Sequence, residues 1–235
     1  MFEAVHADPD GDSSVERFAE TAAEYGFDGL VVRNHGDALA EFDSESLSER
    51  HAIDVVEGVE VRADDPSRAS GFVGTHRDSK TIVAVHGGTN AINRFAVEQP
   101  AVDVLAHPIA GDGDVNHVIA RTAAENGVRL ELSFERVLRA EGGRRVQALR
   151  DLRKVRELVE TYDTPYVVSA DPQSHLHLRA PRDLTAVGET VGFDADQMAA
   201  GLAEWGRLVE RNRRRQSDEF VEPGVYRGSA DDEDE

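Results

Sequence analysis

The segment Val102-Asp103-Val104-Leu105-Ala106-His107 is a short, Val-containing apolar run that ends on a histidine. A helical pattern follows at Val115–Asn126 and stops at Gly127, and a second short β-like run follows at Arg129–Ser133. Two apolar runs joined by an amphipathic helix are typical of a β-α-β unit, in which the two strands are parallel.

The same alternation repeats along the chain, which gives about seven β-α units and predicts an α/β fold with a parallel sheet, either doubly wound or closed into a barrel. A chain of 235 residues suits one such domain. We expect one domain over 1–215, followed by an acidic, flexible tail over 216–235. Strands are predicted at Phe2–His6, Gly29–Arg33, Ile53–Val61, Thr81–His86, Val102–His107, Arg129–Ser133 and Tyr166–Ala170. Helices are predicted at Ser14–Tyr25, Asn90–Glu98, Val115–Asn126, Glu141–Tyr162 and Asp194–Arg215.

The chain is strongly acidic, with 46 Asp and Glu against 26 Lys and Arg and a net charge of −20. Lys80 and Lys154 are its only lysines, and the acids are spread over the whole chain. This composition favours a protein adapted to molar salt, where the Debye length of about 3 Å weakens self-repulsion. An ordinary acidic protein is the alternative. In a halophile, negative net charge is weak evidence against binding to nucleic acid.

Composition also excludes several classes of protein. The absence of cysteine excludes disulfides and thiolate metal sites, and it suits a reducing cytoplasm. No apolar run approaches the 18 residues of a membrane span, so no membrane partner is expected. The start of the chain, Met1–His6, lacks the basic and apolar regions of a signal peptide. We therefore expect a cytoplasmic protein.

Polar side chains stand at or just beyond the ends of most predicted strands. In a barrel, the carboxyl ends of the strands form one rim, where function collects. A single histidine at a strand end is usually hydrogen-bonded or solvated, but six groups at one rim predict a common polar pocket. Imidazole and carboxylate together suit Zn, Mn or Fe. Six strands contribute these groups, which are His6, His35, Glu57 with Glu60, His86, His107 and Asp171.

Arginines are concentrated in the long helix 141–162 and at the end of the last helix. Their positions are compatible with salt bridges and favourable placement at a helix C-terminus. They are equally compatible with phosphate contacts by the planar guanidinium group. Composition alone leaves both interpretations open.

Several short motifs follow one another over roughly residues 1–215. The most specific is Val168-Ser169-Ala170-Asp171 followed by His177-Leu178-Arg179-Ala180-Pro181-Arg182-Asp183-Leu184. The others are the segments 26–32, 93–98, 102–108, 115–117 and 130–132. Each motif is weak by itself, but in this order they resemble the family of archaeal ribonuclease P protein component 3, the counterpart of the thirty-kilodalton eukaryotic subunit.

The resemblance implies a TIM-like (β/α) barrel related to the polymerase-and-histidinol-phosphatase (PHP) metallophosphoesterases. Ala4 and Gln173 stand where that superfamily has two further histidines. Because an under-coordinated metal binds weakly, we expect no metal and no catalytic residue in this chain. The degenerate rim that the resemblance implies is His6, His35, Glu60, His107 and Asp171. The alternative is a metal-dependent PHP-type phosphoesterase that uses this rim.

The resemblance also implies a function. The chain would be a subunit of ribonuclease P, the ribonucleoprotein endonuclease that removes the 5′ leader of precursor tRNA. Catalysis would belong to the RNA component with Mg²⁺, and this chain would hold no cofactor. Its partners would be the ribonuclease P RNA, protein component 2 and the other holoenzyme proteins, with precursor tRNA as substrate. The expected RNA-binding residues are Arg94, Arg179, Arg182, Arg211, Arg213, Arg214 and Arg215.

Overall fold

Seven parallel strands form one sheet in the order of the sequence. The computed structural model describes residues 1–217 and the backbone of 220–222 and 225–226. Each predicted strand is present, and the two edge strands approach each other, so the predicted parallel sheet is confirmed as a nearly closed barrel. The strands are β1 (Phe2–Val5), β2 (Gly29–Val32), β3 (Asp54–Val61), β4 (Ile82–His86), β5 (Val104–Ala106), β6 (Arg129–Ser133) and β7 (Tyr166–Ser169).

Helices surround the sheet and connect its strands. Five were predicted from the sequence and four were missed. Three of the missed helices bury at most two residues each, so their apolar pattern is weak. The helices are α1 (Val15–Glu24), α2 (Ser44–His51), α3 (Pro66–Arg77), α4 (Asn90–Glu98), α5 (His117–Asn126), α6 (Glu135–Arg139), α7 (Gly142–Tyr162), α8 (Pro181–Val191) and α9 (Ala195–Gln216).

The strands separate two apolar layers because successive side chains point to opposite faces. The outer layer packs against the surrounding helices. The inner layer fills the barrel and includes Trp205 and Leu208 of α9. Trp205 is fully buried, and its Nε1–H donates to the carbonyl of Val168 at 3.0 Å. The inner strand residues are Ala4, Val31, Val56, Ile82, Ala84, Val104, Ala106 and Val167.

The last helix closes the amino-terminal end of the barrel. Asp103, just before β5, accepts hydrogen bonds from Asn212 Nδ2 at 2.9 Å and Arg211 Nη2 at 2.5 Å. Asn212 Nδ2 also donates to the carbonyl of Thr81, just before β4, at 2.8 Å. These contacts fix α9 across the strand starts, so the opposite, carboxyl end is the one left for a site.

Glu3 joins the two edge strands, β1 and β7. Its carboxylate accepts from Ser169 Oγ at 2.6 Å and from the Ala170 N–H at 3.1 Å. Burial raises the pKa of Glu3 to about 7, although these hydrogen bonds oppose the shift.

The predicted tail begins within the last turn of α9, which ends at Gln216. Two short antiparallel strands follow, β8 (Phe220–Glu222) and β9 (Val225–Tyr226). Residues 218–219, 223–224 and 227–235 lie outside the described residues, and their flexibility stays a prediction. Among the residues that the structure describes, no helix is both long and apolar enough to cross a bilayer.

Candidate functional site

The polar groups predicted at the strand ends do converge at the carboxyl end of the barrel. Glu60, at the end of β3, is their centre: His86 Nδ1 lies 2.5 Å from one carboxylate oxygen and His6 Nε2 lies 3.5 Å from the other. His107 Nε2 lies 3.3 Å from Asp171 Oδ2. These side chains form a cluster of imidazoles and carboxylates, which we call the rim cluster: His6, His35, Glu60, His86, His107 and Asp171. Glu57 does not join it, since its carboxylate accepts from Lys80 at 2.6 Å.

Four imidazoles of the rim cluster form a row. The ring centroids of His6 and His35 are 4.9 Å apart, those of His35 and His86 are 5.4 Å apart, and those of His86 and His107 are 4.7 Å apart. The row becomes more exposed from His6, at 3 % of its side chain, to His86, at 27 %. The His6 ring therefore belongs to the core, and the His86 ring faces the surface.

Asp10, in the loop after β1, orients the first two rings. Its Oδ2 lies 2.7 Å from His6 Nδ1 and 2.8 Å from His35 Nδ1, and it accepts from the His35 N–H at 2.8 Å. Burial opposes protonation of His6, but the carboxylates of Asp10 and Glu60 outweigh it and raise the His6 pKa to about 9. Burial likewise opposes ionisation of Asp10, yet these hydrogen bonds hold its pKa well below the usual range.

Arg33 lies at the base of the rim cluster and is fully buried. Nη1 donates to Glu60 Oε2 at 2.8 Å, while Nη2 donates to Glu131 Oε1 at 2.5 Å and to Asp171 Oδ1 at 3.1 Å. On its other side, the guanidinium carbon is 5.6 Å from the centre of the Trp205 ring. One guanidinium group therefore bridges carboxylates from β3, β6 and the end of β7.

The charges of this cluster depend on one another. Burial disfavours ionisation of Glu60, but Arg33 and the neighbouring histidines hold its pKa well below the usual range. The pKa of Asp171 is also lowered, because His107 and Arg33 outweigh the effect of burial. Burial raises the pKa of Glu131, which faces the same Arg33 but lies beside two other carboxylates. In this cluster, Glu60 and Asp171 are thus the ionised carboxylates, and they pair with buried cations.

His107 and Asp171 share an unusual backbone conformation. Both follow a strand, and both have φ of +47°. A positive φ disfavours side chains other than glycine, and such residues concentrate at functional or tightly determined sites. In this conformation the two side chains are in contact, with His107 Nε2 3.3 Å from Asp171 Oδ2.

Three groups of side chains within the described residues have donor atoms close enough to surround a metal ion: His6, Asp10 and His35; His35, Glu60 and His86; and His107, Glu135 and Asp171. The carboxylates of Glu60 and Asp171, however, each give one oxygen to Arg33 and turn the other toward an imidazole. A cation placed between these carboxylates would meet the fixed positive charge of Arg33. The donor set therefore does not fit a metal cluster there.

The predicted RNA-binding arginines do not share one surface cluster, since they lie on α4, α8, α9 and the segment before α8. Arg94 pairs with Glu98 at 2.8 Å, Arg213 forms two bonds to Asp54 at 2.6 and 2.8 Å, and Arg211 pairs with Asp103. Arg179 donates to the carbonyls of Leu176 and Leu178. The side chains of Arg182, Arg214 and Arg215 are exposed. Their role in RNA binding stays a prediction.

Sequence reasoning missed three members of the site, Arg33, Glu131 and Asp10. A signal was present for two of them. Arg33 ends a Val-rich predicted strand, and Glu131 stands between two leucines in Leu130-Glu131-Leu132. Charged residues in such apolar runs are buried only when they are paired. Asp10 lies in a loop that carries no comparable pattern.

Known proteins resemble this chain in sequence and in structure. Residues 1–217 match the family described as RNase P subunit p30. A relative from Haloarcula marismortui, called ribonuclease P protein component 3, is 63 % identical over 225 residues, which cover 96 % of each chain. A chain in a cryo-EM structure of archaeal ribonuclease P with mature tRNA has a TM-score of 0.83 and 24 % identity over the full length of both chains.

A second solved structure shares the fold. Histidinol phosphate phosphatase from Lactococcus lactis matches with a TM-score of 0.57 and 12 % identity, covering 82 % of this chain and 94 % of that one. At these identities, the two structural matches describe the fold alone. They confirm the predicted TIM-like barrel.

Proposed function

Because the chain belongs to the RNase P subunit p30 family, we propose that it acts as a protein subunit of ribonuclease P in the cytoplasm, where the holoenzyme removes the 5′ leader of precursor tRNA. The family match over 1–217 is the observation that carries this proposal. The RNA component supplies catalysis with Mg²⁺, and this chain supports that RNA together with protein component 2.

A basic surface on α7 supports contact with RNA. Residues 136–156 contain eight arginines or lysines and two acids, within a chain whose net charge is −20. Arg144, Arg145, Arg150 and Arg153 are all exposed. Among the described residues, no carboxylate pairs with any of these four; Arg145 and Arg153 donate to backbone carbonyls instead. We call these four residues the α7 arginines.

Unpaired arginines are unusual in a protein with so many carboxylates, and they suit a polyanionic partner. The α7 arginines lie within ten residues of helix, whose nine steps of about 1.5 Å cover about 14 Å. That length reaches more than one phosphate of an RNA strand, and guanidinium groups bind phosphate with two parallel hydrogen bonds. Because molar salt weakens each phosphate contact, several are needed together.

The residues named from the sequence contribute unequally to this proposal. Arg182, Arg214 and Arg215 are exposed and remain candidates for RNA contact, as do Arg94 and Arg179. Arg211 and Arg213 are held by Asp103 and Asp54. Their main contribution is to fix α9 to the barrel.

The test is binding of ribonuclease P RNA by the assembled protein subunits at molar KCl. Changing all four α7 arginines to glutamine should weaken RNA binding by about tenfold or more and reduce the salt dependence of the affinity. With this variant, the reconstituted holoenzyme should need a higher concentration of the protein subunits than the wild type does to cleave precursor tRNA.

A matched control removes the same charge elsewhere. Arg17, Arg50, Arg62 and Arg68 are exposed but lie beside Glu20, Glu16, Asp37 and Asp64. Their change to glutamine should alter RNA binding by less than about twofold, because these pairs contribute little to begin with. Equal losses in both quadruple variants would show that α7 is not the RNA surface.

The sequence also allowed a metal-dependent phosphoesterase. That reaction needs a metal-bound water held among the rim carboxylates. The guanidinium of Arg33 lies in that space, so the geometry favours the ribonuclease P subunit.

A further inference from the structure

The centre of the barrel contains three carboxylates, from β3, β6 and the segment after β7, that approach one another because the sheet closes into a barrel and these side chains point into it. Glu60, Glu131 and Asp171 are each at most 2 % exposed. Three ionised carboxylates at this depth would repel one another and lose their hydration, at a cost of several kcal/mol for each uncompensated charge. Such a group persists only with a cation among its members.

Apart from Arg33, the side chains around this point are of the types that divalent metals prefer as ligands. Carboxylate oxygens come from the three acids, and the Nε2 atoms of His6 and His107 point toward the same carboxylates, at 3.5 Å and 3.3 Å from Asp171. Oxygen and imidazole donors suit Mn²⁺, Zn²⁺ and Fe²⁺. Yet the position at the base of this set is filled by the guanidinium of Arg33, with a nitrogen 2.5 to 3.1 Å from each acid.

We propose that Arg33 is a resident cation that replaces a divalent metal ion in this barrel. Its side chain excludes metal from the carboxylate centre, and its removal converts that centre into a divalent-metal site formed by Glu60, Glu131 and Asp171 with His6 and His107. The rim cluster is therefore a closed ionic core that holds the strand ends together.

The contacts of Arg33 hold its guanidinium group in this position. Its backbone N–H donates to the Val5 carbonyl at 2.9 Å, which continues the pairing of β1 with β2. Its guanidinium lies against the Trp205 ring and is fully buried, so it cannot swing into solvent to admit a metal. A guanidinium also stays protonated at any ordinary pH, so metal cannot compete by displacing a proton from it.

Substitutions at Arg33 test the proposal with a spectroscopic readout. Co²⁺ and Mn²⁺ are titrated into the full chain at molar KCl, and binding is followed by Co²⁺ visible absorption and by Mn²⁺ paramagnetic resonance. Arg33→Met should bind one equivalent about 100-fold more tightly than the wild type. Arg33→Lys, which keeps the positive charge, should bind no better than the wild type. Adding His107→Ala to Arg33→Met should weaken the site again.

Arg129→Met is the matched control. Arg129 lies two residues before Glu131 in β6, on the same face of the strand, but it pairs with Glu204 of α9 near the amino-terminal end. Its loss also removes one positive charge, on a side chain that is 14 % exposed, yet it should create no metal site. Metal binding by Arg129→Met comparable to that of Arg33→Met would overturn the proposal.

The wild type provides a test even if Arg33→Met folds poorly. Stoichiometric binding of Co²⁺ or Mn²⁺ by the wild-type rim, lost in His107→Ala, would contradict the proposal directly. If Arg33→Met is unfolded alone, recovery of its far-ultraviolet circular dichroism at one equivalent of Mn²⁺ supports the proposal. Failure to refold at any metal concentration counts against it.

Discussion

Asp103 and Asn212 meet at 2.9 Å in the buried amino-terminal end of the barrel. Asp103 also accepts hydrogen bonds from Arg77 at 2.7 Å and from the Val83 N–H at 2.8 Å. With Arg211, four groups depend on this one carboxylate. The contact between α9 and the strand starts is therefore polar and cooperative, unlike the apolar packing around Trp205.

Replacing Asp103 should destabilise the fold strongly. Asp103→Ala removes the buried carboxylate that Arg77, Arg211 and Asn212 share, and loss of one partner of a buried ion pair costs about 3–5 kcal/mol. The measurement is urea unfolding at molar KCl. Asp64→Ala, which removes an exposed partner of Arg68, should cost less than about 1 kcal/mol. Similar losses in the two variants would contradict the assigned role of Asp103.

Trp205 should be the main apolar anchor of α9. Its change to alanine removes a fully buried indole from the barrel interior and should cost about 3–5 kcal/mol. Because Trp205 is the single tryptophan of the chain, unfolding of this variant is followed by circular dichroism. Leu176→Ala, at a residue 73 % exposed, is the control and should change stability by less than about 0.5 kcal/mol. A Trp205→Ala protein as stable as the wild type would show that α9 is not anchored inside the barrel.

Glu3 should make stability depend on pH. Its pKa in the folded protein is about 7, above the usual 4.5, so the folded state binds the extra proton. The stability that Glu3 contributes is complete below about pH 4.5 and is lost as the pH rises through about 7, on the order of 3 kcal/mol in all.

The measurement compares the free energy of unfolding of the wild type with that of Glu3→Gln across this range. The wild type should lose stability relative to Glu3→Gln as the pH rises from about 4.5 to about 7. Glu24→Gln, which makes the same charge change at an exposed site, controls for net charge. A constant difference between wild type and Glu3→Gln would rule out the raised pKa.

The sequence predicted the seven strands, five of the helices and the convergence of polar groups at one rim, because each depends on local periodicity or on strand ends. It did not predict that α9 closes the amino-terminal end of the barrel. The apolar residues of Asp194–Arg215 indicate a buried face, but not whether that face packs outside the sheet or inside it. Nor did it predict Arg33 at the base of the rim cluster, because the three acids that bind Arg33 are 27 to 138 residues away in the chain.

Net charge should make the fold salt-dependent. At 0.1 M salt the Debye length is about 10 Å, against about 3 Å at 1 M, so the repulsion of a chain with charge −20 grows as salt is removed. The urea midpoint should fall steadily as KCl is reduced from 2 M to 0.1 M. Sucrose at low salt should restore less stability than KCl does, because it does not screen charge. An unchanged midpoint would contradict adaptation to molar salt.

The rim cluster should be dispensable for tRNA processing. If the RNA component performs catalysis, His107→Ala in a folded protein should leave cleavage by the reconstituted holoenzyme within about twofold of the wild type. Arg182→Ala, at the exposed start of α8, should weaken cleavage at limiting protein concentration. Complete loss of cleavage in a folded His107→Ala protein would assign chemistry to this chain.

The most direct test of the proposed function is recovery of the tagged protein from its own cells at native molar salt, with sequencing of the RNA that accompanies it. We predict strong enrichment of ribonuclease P RNA, with enrichment reduced when the α7 arginines are changed to glutamine. Recovery of folded protein without enriched ribonuclease P RNA would contradict the proposal that this chain is a working subunit of ribonuclease P.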